Sequence, residues 1–337
     1  MSAAENKYDR LYAAVLTPYK DSGEVDEVAL RKFLQYFMQP KFVDAGGGIV
    51  INPEAGELFY LSRQEKRRNV EIAMEECGGK VSIFAGVSDL STEDSVKVAV
   101  DAKEVGVDGI FLMPPVGALD VTIGWDTERY PEVWIDMAKA QVEAVALPAI
   151  AHPVAPPTRD FGVGLPLSAT LQMCKEIPNI VGWKMVYNYE GSRTIVEGLR
   201  GLDRHVAILV ATAHIFHETL ATGYFDGTLS GSFNYAMEPM IDHINAWRRK
   251  DIDEARRIWL SGLLTLHEYV YYGNNRIHVR YKVACWLRGL IPNPFMRPPQ
   301  PKPRKEEVLT LRELLIKAGF NVIPEEDINR VVAQLPR

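Results

Sequence analysis

The sequence predicts an α/β protein, a (β/α)8 barrel followed by a C-terminal helical extension. Three observations carry that prediction. Eight short apolar runs recur roughly every 30 residues between Leu11 and Leu229, which is the size of one strand–helix unit. Stretches with helical patterning separate them. Beyond about residue 240 the strand-like runs stop and the pattern turns all-helical.

The first run is Leu11–Leu16, closed by Thr17-Pro18. Gly47–Ile51, Val81–Ala85, Gly109–Met113 and Leu147–Ala151 follow, and Ile180–Lys184, Val206–Val210 and Gly227–Leu229 complete the set. Continuous rather than alternating apolar runs indicate strands covered on both faces, as in a parallel sheet flanked by helices. Between them, Glu27–Phe37, Ser62–Glu76 and Thr92–Glu104 read as helices. Ser62-Arg63-Gln64-Glu65 and Ser91-Thr92-Glu93-Asp94 mark two helix starts, where a serine oxygen accepts from an orphan N–H of the first turn. Past the strands, helices are predicted over 240–249, 252–272 and 279–288. The Pro-rich stretch 292–303 then leads to a last helix over 308–318. Residues 1–238 are therefore assigned to a barrel with its active site at the C-terminal strand ends. Residues 239–337 form an extension packed on the barrel or on a neighbouring subunit.

Composition narrows the function classes. The chain has 337 residues, 47% hydrophobic and 24% charged, as expected of a globular enzyme. With a net charge of -6 and no basic stripe, it carries no nucleic-acid footprint, and Lys302-Pro303-Arg304-Lys305 reads as a solvated loop. Cys77, Cys174 and Cys285 lie far apart and are odd in number, which suits buried thiols in a reducing compartment. The N-terminus lacks an apolar signal core and no apolar run of about 18 residues occurs, so a cytoplasmic protein without a membrane partner is expected. His214 and His217 stand at i, i+3, but no third ligand is evident, and neither a metal nor a cofactor is expected.

The sharpest chemical signal is Lys184, at the end of the apolar run Ile180-Val181-Gly182-Trp183-Lys184. Desolvation disfavours the ammonium form, so more of the amine is free to attack a carbonyl. A strand-end lysine facing a barrel mouth is a candidate Schiff-base nucleophile.

An ordered set of motifs surrounds it: Leu16-Thr17-Pro18-Tyr19 with Val25-Asp26, and Gly56-Glu57 followed by Leu61-Ser62-Arg63-Gln64-Glu65. Ala85-Gly86-Val87-Ser88, Gly106-Val107-Asp108-Gly109, Met113-Pro114-Pro115, Val181-Gly182-Trp183-Lys184 and Gly231-Ser232-Phe233-Asn234 come next. Lys282-Val283-Ala284-Cys285 and Met296-Arg297-Pro298-Pro299 close it. In these motifs, from about Tyr12 to Phe320, the chain resembles the dihydrodipicolinate synthase / N-acetylneuraminate lyase family of class I aldolases, as a divergent member. The resemblance implies a homotetramer or homodimer, no cofactor, and an imine between Lys184 and a 2-oxo acid, commonly pyruvate.

The resemblance also shows departures. Where the family has a tyrosine after strand five as proton shuttle, this chain has His152, whose ordinary pKa near 6.5 suits that task. Where the family has hydroxyls after strand two to hold the substrate carboxylate, this chain reads Pro53-Glu54-Ala55-Gly56-Glu57. An ionised Glu54 about 4 Å from a carboxylate is repulsive by about 1–4 kcal/mol. Three readings therefore stand side by side. The acid binds through the N–H groups of Ala55 and Gly56 with Glu54 turned away, the substrate lacks a carboxylate there, or Glu54 is the acid/base, protonated by burial. Glu57 reads as a cap for local N–H groups. The tyrosine pair the family carries after strand four is replaced by Pro114-Pro115-Val116-Gly117, which argues against the lysine-biosynthesis synthase. Arg159 stands where the family's carboxylate-gripping arginine is expected. Tyr187, Asn188, Thr212, His214, Ser230 and Gly231 are further pocket candidates, Tyr187, Ser230 and Gly231 as substrate contacts. Val116, Leu119 and Trp125 suggest an apolar mouth, with Tyr130 and Trp134 nearby.

The expected function is a lyase (aldolase, hydratase-aldolase or dehydratase) acting on a 2-oxo acid and an aldehyde. The competing reading, from a different class, is a barrel weakened in catalysis that binds small molecules or regulates.

Overall fold

The computed structural model describes residues 6–117, 123–273 and 276–336; Leu119 lies outside them. The strands in chain order are β1 Leu11–Ala14, β2 Gly47–Ile51, β3 Ser82–Gly86, β4 Gly109–Leu112 and β5 Ala149–Ala151. Then come β6 Val154–Thr158, β7 Gly162–Gly164, β8 Ile180–Met185, β9 Ala207–Val210 and β10 Gly227–Ser230. Eight of them close into a parallel barrel in the order β1-β2-β3-β4-β5-β8-β9-β10. The (β/α)8 expectation holds, and every predicted run overlaps a barrel strand, three strands running one residue beyond it. Nearly every residue of these strands is buried, because barrel side chains cover one face and helices the other. β6 and β7 form a short antiparallel hairpin outside the barrel, and they occupy the long segment after the fifth barrel strand.

Of the two predicted capping boxes, the one at Ser62 forms in full and the one at Ser91 forms only its serine half. Ser62 accepts from the Glu65 N–H while Glu65 accepts from the Ser62 N–H, starting the helix Arg63–Cys77. Ser91 accepts from the Asp94 N–H and starts Thr92–Val105.

The division at residue 238 falls within the kinked helical segment Phe233–Arg248. Ala236, with non-helical φ -142° and ψ 29°, kinks that helix two residues before the division, and Pro239 follows the division directly. The helix expected over 252–272 is two helices, Ile252–Ile258 and Leu264–Tyr271, joined by a wider turn. Gly262 there adopts φ 113°, and a Cβ on it would lie 2.9 Å from Ala318 Cα, so the backbones pass too close for a side chain. The chain ends with helices Ile277–Leu287, Lys305–Lys317 and Glu325–Val332; the last was not predicted.

Helix Ile277–Leu287 is buried continuously from Val279 to Leu287. A helix buried all round has neighbours on every side. Its Arg280 pairs with Glu307 of the following helix at 3.1 Å. Its Lys282 reaches Glu57, in the loop after β2, at 2.5 Å, with both side chains essentially inaccessible. The extension is thus anchored through the barrel mouth and is not hung on its outside. Among the described residues, no helix is long and apolar enough to cross a membrane. All three cysteines are free and buried.

Candidate active site

A cleft of about 920 Å³ opens at the C-terminal ends of the strands. Lys184, His152, Glu54, Ala55 and Gly231 line it, together with Thr212 and with Tyr271, His278 and Tyr281 of the extension. Lys184 is the penultimate residue of β8, paired with Leu209 of β9. Strand alternation sends Trp183 and Met185 to the outer face, where Trp183 packs against Trp134 with ring centroids 6.4 Å apart. Lys184 therefore points into the mouth, its Nζ 5.8 Å from the centre of the Phe111 ring.

Burial lowers the Lys184 pKa to about 8, and the nearby Glu54 carboxylate works in the opposite direction. The free-amine fraction at pH 7 is then about one in ten, against about three in ten thousand for an ordinary lysine. The shift also carries a stability cost. A displacement from 10.5 to about 8 corresponds to about 3 kcal/mol, and the open cleft discounts it. The variant Lys184→Met is expected to be more stable than the parent by about 1–3 kcal/mol at pH 7. The folded pKa is the lower one, so the unfolded chain holds the extra proton between about 8 and 10.5. Parent stability rises across that window and the advantage of the variant shrinks. Urea unfolding at pH 7 and pH 10 measures both values; an equal or less stable variant at pH 7 contradicts the account.

His152 follows β5 directly. Its N–H donates to Leu112 O at 2.9 Å and its ring lies 5.5 Å from the same Phe111 ring. It is 2% exposed, and burial, the Lys184 charge and His278 hold its pKa well below 6.5. The imidazole is therefore neutral at pH 7. Its Nε2 faces Glu54 Oε2 at 3.8 Å, beyond hydrogen-bond range, and its buried Nδ1 has no hydrogen-bond partner among the described residues. This pair can accept or release a proton at an atom placed between them.

Glu54 opens a single helical turn after β2, and its side chain is 40% exposed. The burial needed for the protonated-Glu54 reading is absent. Ala55 lines the cleft, but the Gly56 N–H donates to Pro53 O at 3.0 Å and the Gly56 carbonyl accepts from Thr17 Oγ1 at 2.7 Å. Gly56 thus has its polar groups engaged in the turn. Glu57 adopts φ 63°. It caps no N–H of its own loop, accepting instead from the Arg297 N–H at 2.9 Å and pairing with Lys282.

Other predicted contacts lie elsewhere. Arg159 is exposed at the tip of the β6–β7 hairpin, where its carbonyl accepts from Asn188 at 3.0 Å. Tyr187 is buried under that hairpin; its hydroxyl accepts from Trp183 Nε1 at 2.9 Å, and it lines a separate pocket of about 390 Å³ with Asn188 and His214. Ser230 is buried beneath the cleft floor, donating to Ala211 O at 3.0 Å. Trp125 is tied to Tyr130 O at 2.8 Å, and neither they nor Val116 line the cleft. His217 turns away from His214 to His243, Nδ1 to Nε2 at 3.0 Å, so the i, i+3 pair does not converge on a metal.

Among the cleft residues the sequence did not point to are Tyr271, His278 and Tyr281 of the extension. Tyr281 packs on Gly231, where a Cβ would lie 2.2 Å from its ring. Its hydroxyl donates to that of Tyr271 at 2.8 Å, which in turn donates to Ala211 O at 2.8 Å. His278 sits one turn before Lys282, its ring 5.9 Å from that of Tyr281. The available signal was the cluster His278, Arg280 and Lys282 in the first half of a helix that ends apolar.

The profile of the Dihydrodipicolinate synthetase family matches residues 7–318. The chain belongs to that family. Its members are class I aldolase-type lyases, and this protein is a lyase of that type. The 4-hydroxy-tetrahydrodipicolinate synthase of Methanopyrus kandleri is 29% identical, covering 93% of this chain and 96% of its own. A DapA-like lyase of Thermofilum pendens, uncharacterized, is 27% identical over 93% of this chain and 99% of its own. Among solved structures, the Acinetobacter baumannii dihydrodipicolinate synthase, complexed with pyruvate, superposes with a TM-score of 0.75 at 25% identity over 92% of this chain and 99% of its own. YagE of E. coli K12, also in complex with pyruvate, gives 0.78 at 19% identity over 93% and 99%, a likeness of fold.

Proposed function

We propose that the protein is a Schiff-base-forming lyase for a 2-oxo acid, pyruvate or a pyruvate adduct, and that it is not the lysine-biosynthesis synthase. The observation that carries this reading is a lysine with its pKa lowered to about 8, directed into a large cleft beside a neutral imidazole and a carboxylate. The free amine of Lys184 adds to the C2 carbonyl of the acid. Loss of water gives an iminium ion, which draws electrons from the C3 bonds. A C3–H or C3–C4 bond then breaks, and the pair enters an enamine. His152, beside the Phe111 ring that Lys184 also faces, exchanges the proton at C3. The loop with Glu54 and Pro114-Pro115 lacks the hydroxyls and tyrosines of the synthase relay, which favours another aldehyde partner.

Incubation with pyruvate and borohydride, followed by peptide mass spectrometry, is expected to place a reduced pyruvyl adduct on Lys184. No adduct with any 2-oxo acid removes the reading. The pH profile is a second prediction. At limiting pyruvate, trapping is expected to rise about tenfold per pH unit up to about 8 and then level off. The sign follows from the amine, which is reactive only after losing its proton. A rate still rising at pH 10 contradicts it.

A further inference from the structure

The Schiff-base reading accounts for the imine and for C3. It does not account for His278, which the extension brings to the same cleft. An aldol cleavage needs a second group, because the hydroxyl on C4 loses its proton as C3–C4 breaks. The two imidazoles stand in different layers. His152 lies on the barrel floor, 2% exposed, against the same Phe111 ring that Lys184 faces. His278 comes from the helix roofing the mouth, is only partly buried, and stands beside Tyr281. A substrate tethered at Lys184 by C2 places C3 near the floor and its distal carbon toward the roof. Glu54 lines the same cleft as both: its carboxylate is 3.8 Å from His152 Nε2, and its charge partly offsets the burial that lowers the pKa of His278.

We propose that His278 is the acid/base group at C4 of a 4-hydroxy-2-oxo acid, with Glu54 carrying the proton between the two imidazoles. In the cleavage direction His278 takes the C4 hydroxyl proton, the C3–C4 bond breaks, and C4 leaves as an aldehyde carbonyl. The electron pair forms the C2–C3 enamine and neutralises the iminium nitrogen. The proton passes through Glu54 to His152 and on to C3, so one proton leaves oxygen and one arrives at carbon. Water then hydrolyses the imine, returning the water lost when it formed, and pyruvate departs.

This inference rests on the Schiff-base reading, and the test separates the two. The probes are pyruvate in D2O, 4-hydroxy-2-oxopentanoate and 4-hydroxy-2-oxo-4-phenylbutanoate, with parent and His278→Asn. Exchange of the pyruvate methyl protons uses Lys184 and the C3 base alone. The variant is expected to keep exchange and borohydride trapping within about twofold while its cleavage of the hydroxy acids falls about 100-fold or more. Cleavage retained within about threefold overturns the assignment. Loss of exchange and trapping along with cleavage overturns it too, since His278 is then structural. A parent that exchanges pyruvate protons but cleaves neither hydroxy acid also overturns it. A parent that neither traps nor exchanges pyruvate overturns the Schiff-base reading itself.

Discussion

Lys184→Arg is expected to abolish turnover, with cleavage falling by about 10^4-fold or more and no borohydride-trapped adduct forming. Arginine keeps the positive charge and much of the stem, and Glu54 remains a neighbour for that charge. It cannot supply a free amine, because a guanidinium does not lose its proton in a protein. The substitution therefore separates charge from nucleophilicity. If Lys184 only held a substrate carboxylate electrostatically, the arginine variant would retain a substantial fraction of activity. Single-turnover cleavage with mass spectrometry of the quenched protein decides between these outcomes.

Removing one partner of the Glu57–Lys282 pair is expected to have the largest effect on stability. Both side chains are essentially inaccessible, 0% and 1% exposed, and their charged atoms are 2.5 Å apart. Burial lowers the Lys282 pKa to about 8 against the pull of Glu57, so the site is costly to desolvate even when paired. Lys282 also donates to Phe295 O at 2.9 Å and lies over the Tyr19 ring at 4.1 Å. Lys282→Met leaves the Glu57 carboxylate buried and accepting from the Arg297 N–H without its ammonium partner, and a loss of about 3–5 kcal/mol is expected. The double variant Glu57→Gln with Lys282→Met removes both charges and keeps an acceptor for Arg297. It is expected to recover most of the loss. Denaturant unfolding of the three proteins measures this, and a single variant within about 1 kcal/mol of the parent refutes it. The pair holds the helix that carries His278 and Tyr281 against the loop that carries Glu54 and Ala55. The partly stable single variant should therefore lose cleavage before it loses its fold.

Legibility in the sequence followed the range of the interactions. Strand runs, the Ser62 and Ser91 caps and the position of Lys184 depend on neighbours a few residues away, and the structure places them where the sequence did. His152 was located because it directly follows an apolar run. Tyr187 and Arg159 went astray because the segment after β5 folds into a hairpin, which buries one and carries the other outward. Gly56 went astray because its N–H and carbonyl are consumed by a turn and by Thr17. Glu57 was read as a local cap, yet its partners come from Arg297 and Lys282, far along the chain.

The sequence by itself determined the eight-stranded barrel and the lysine at its mouth. Strand burial and a terminal charge are written in consecutive residues, and the closed barrel then fixes which end is the mouth. Only the tertiary structure decided what the lysine faces. The helix bearing His278, Tyr281 and Lys282 is buried on all sides and so lacks the polar face that would have declared its orientation. Its docking depends on the Lys282–Glu57 ion pair and on Lys282 lying over the Tyr19 ring, contacts between segments more than 200 residues apart. No local pattern encodes such a contact, because its free energy arises only once the barrel has closed and brought the two segments together.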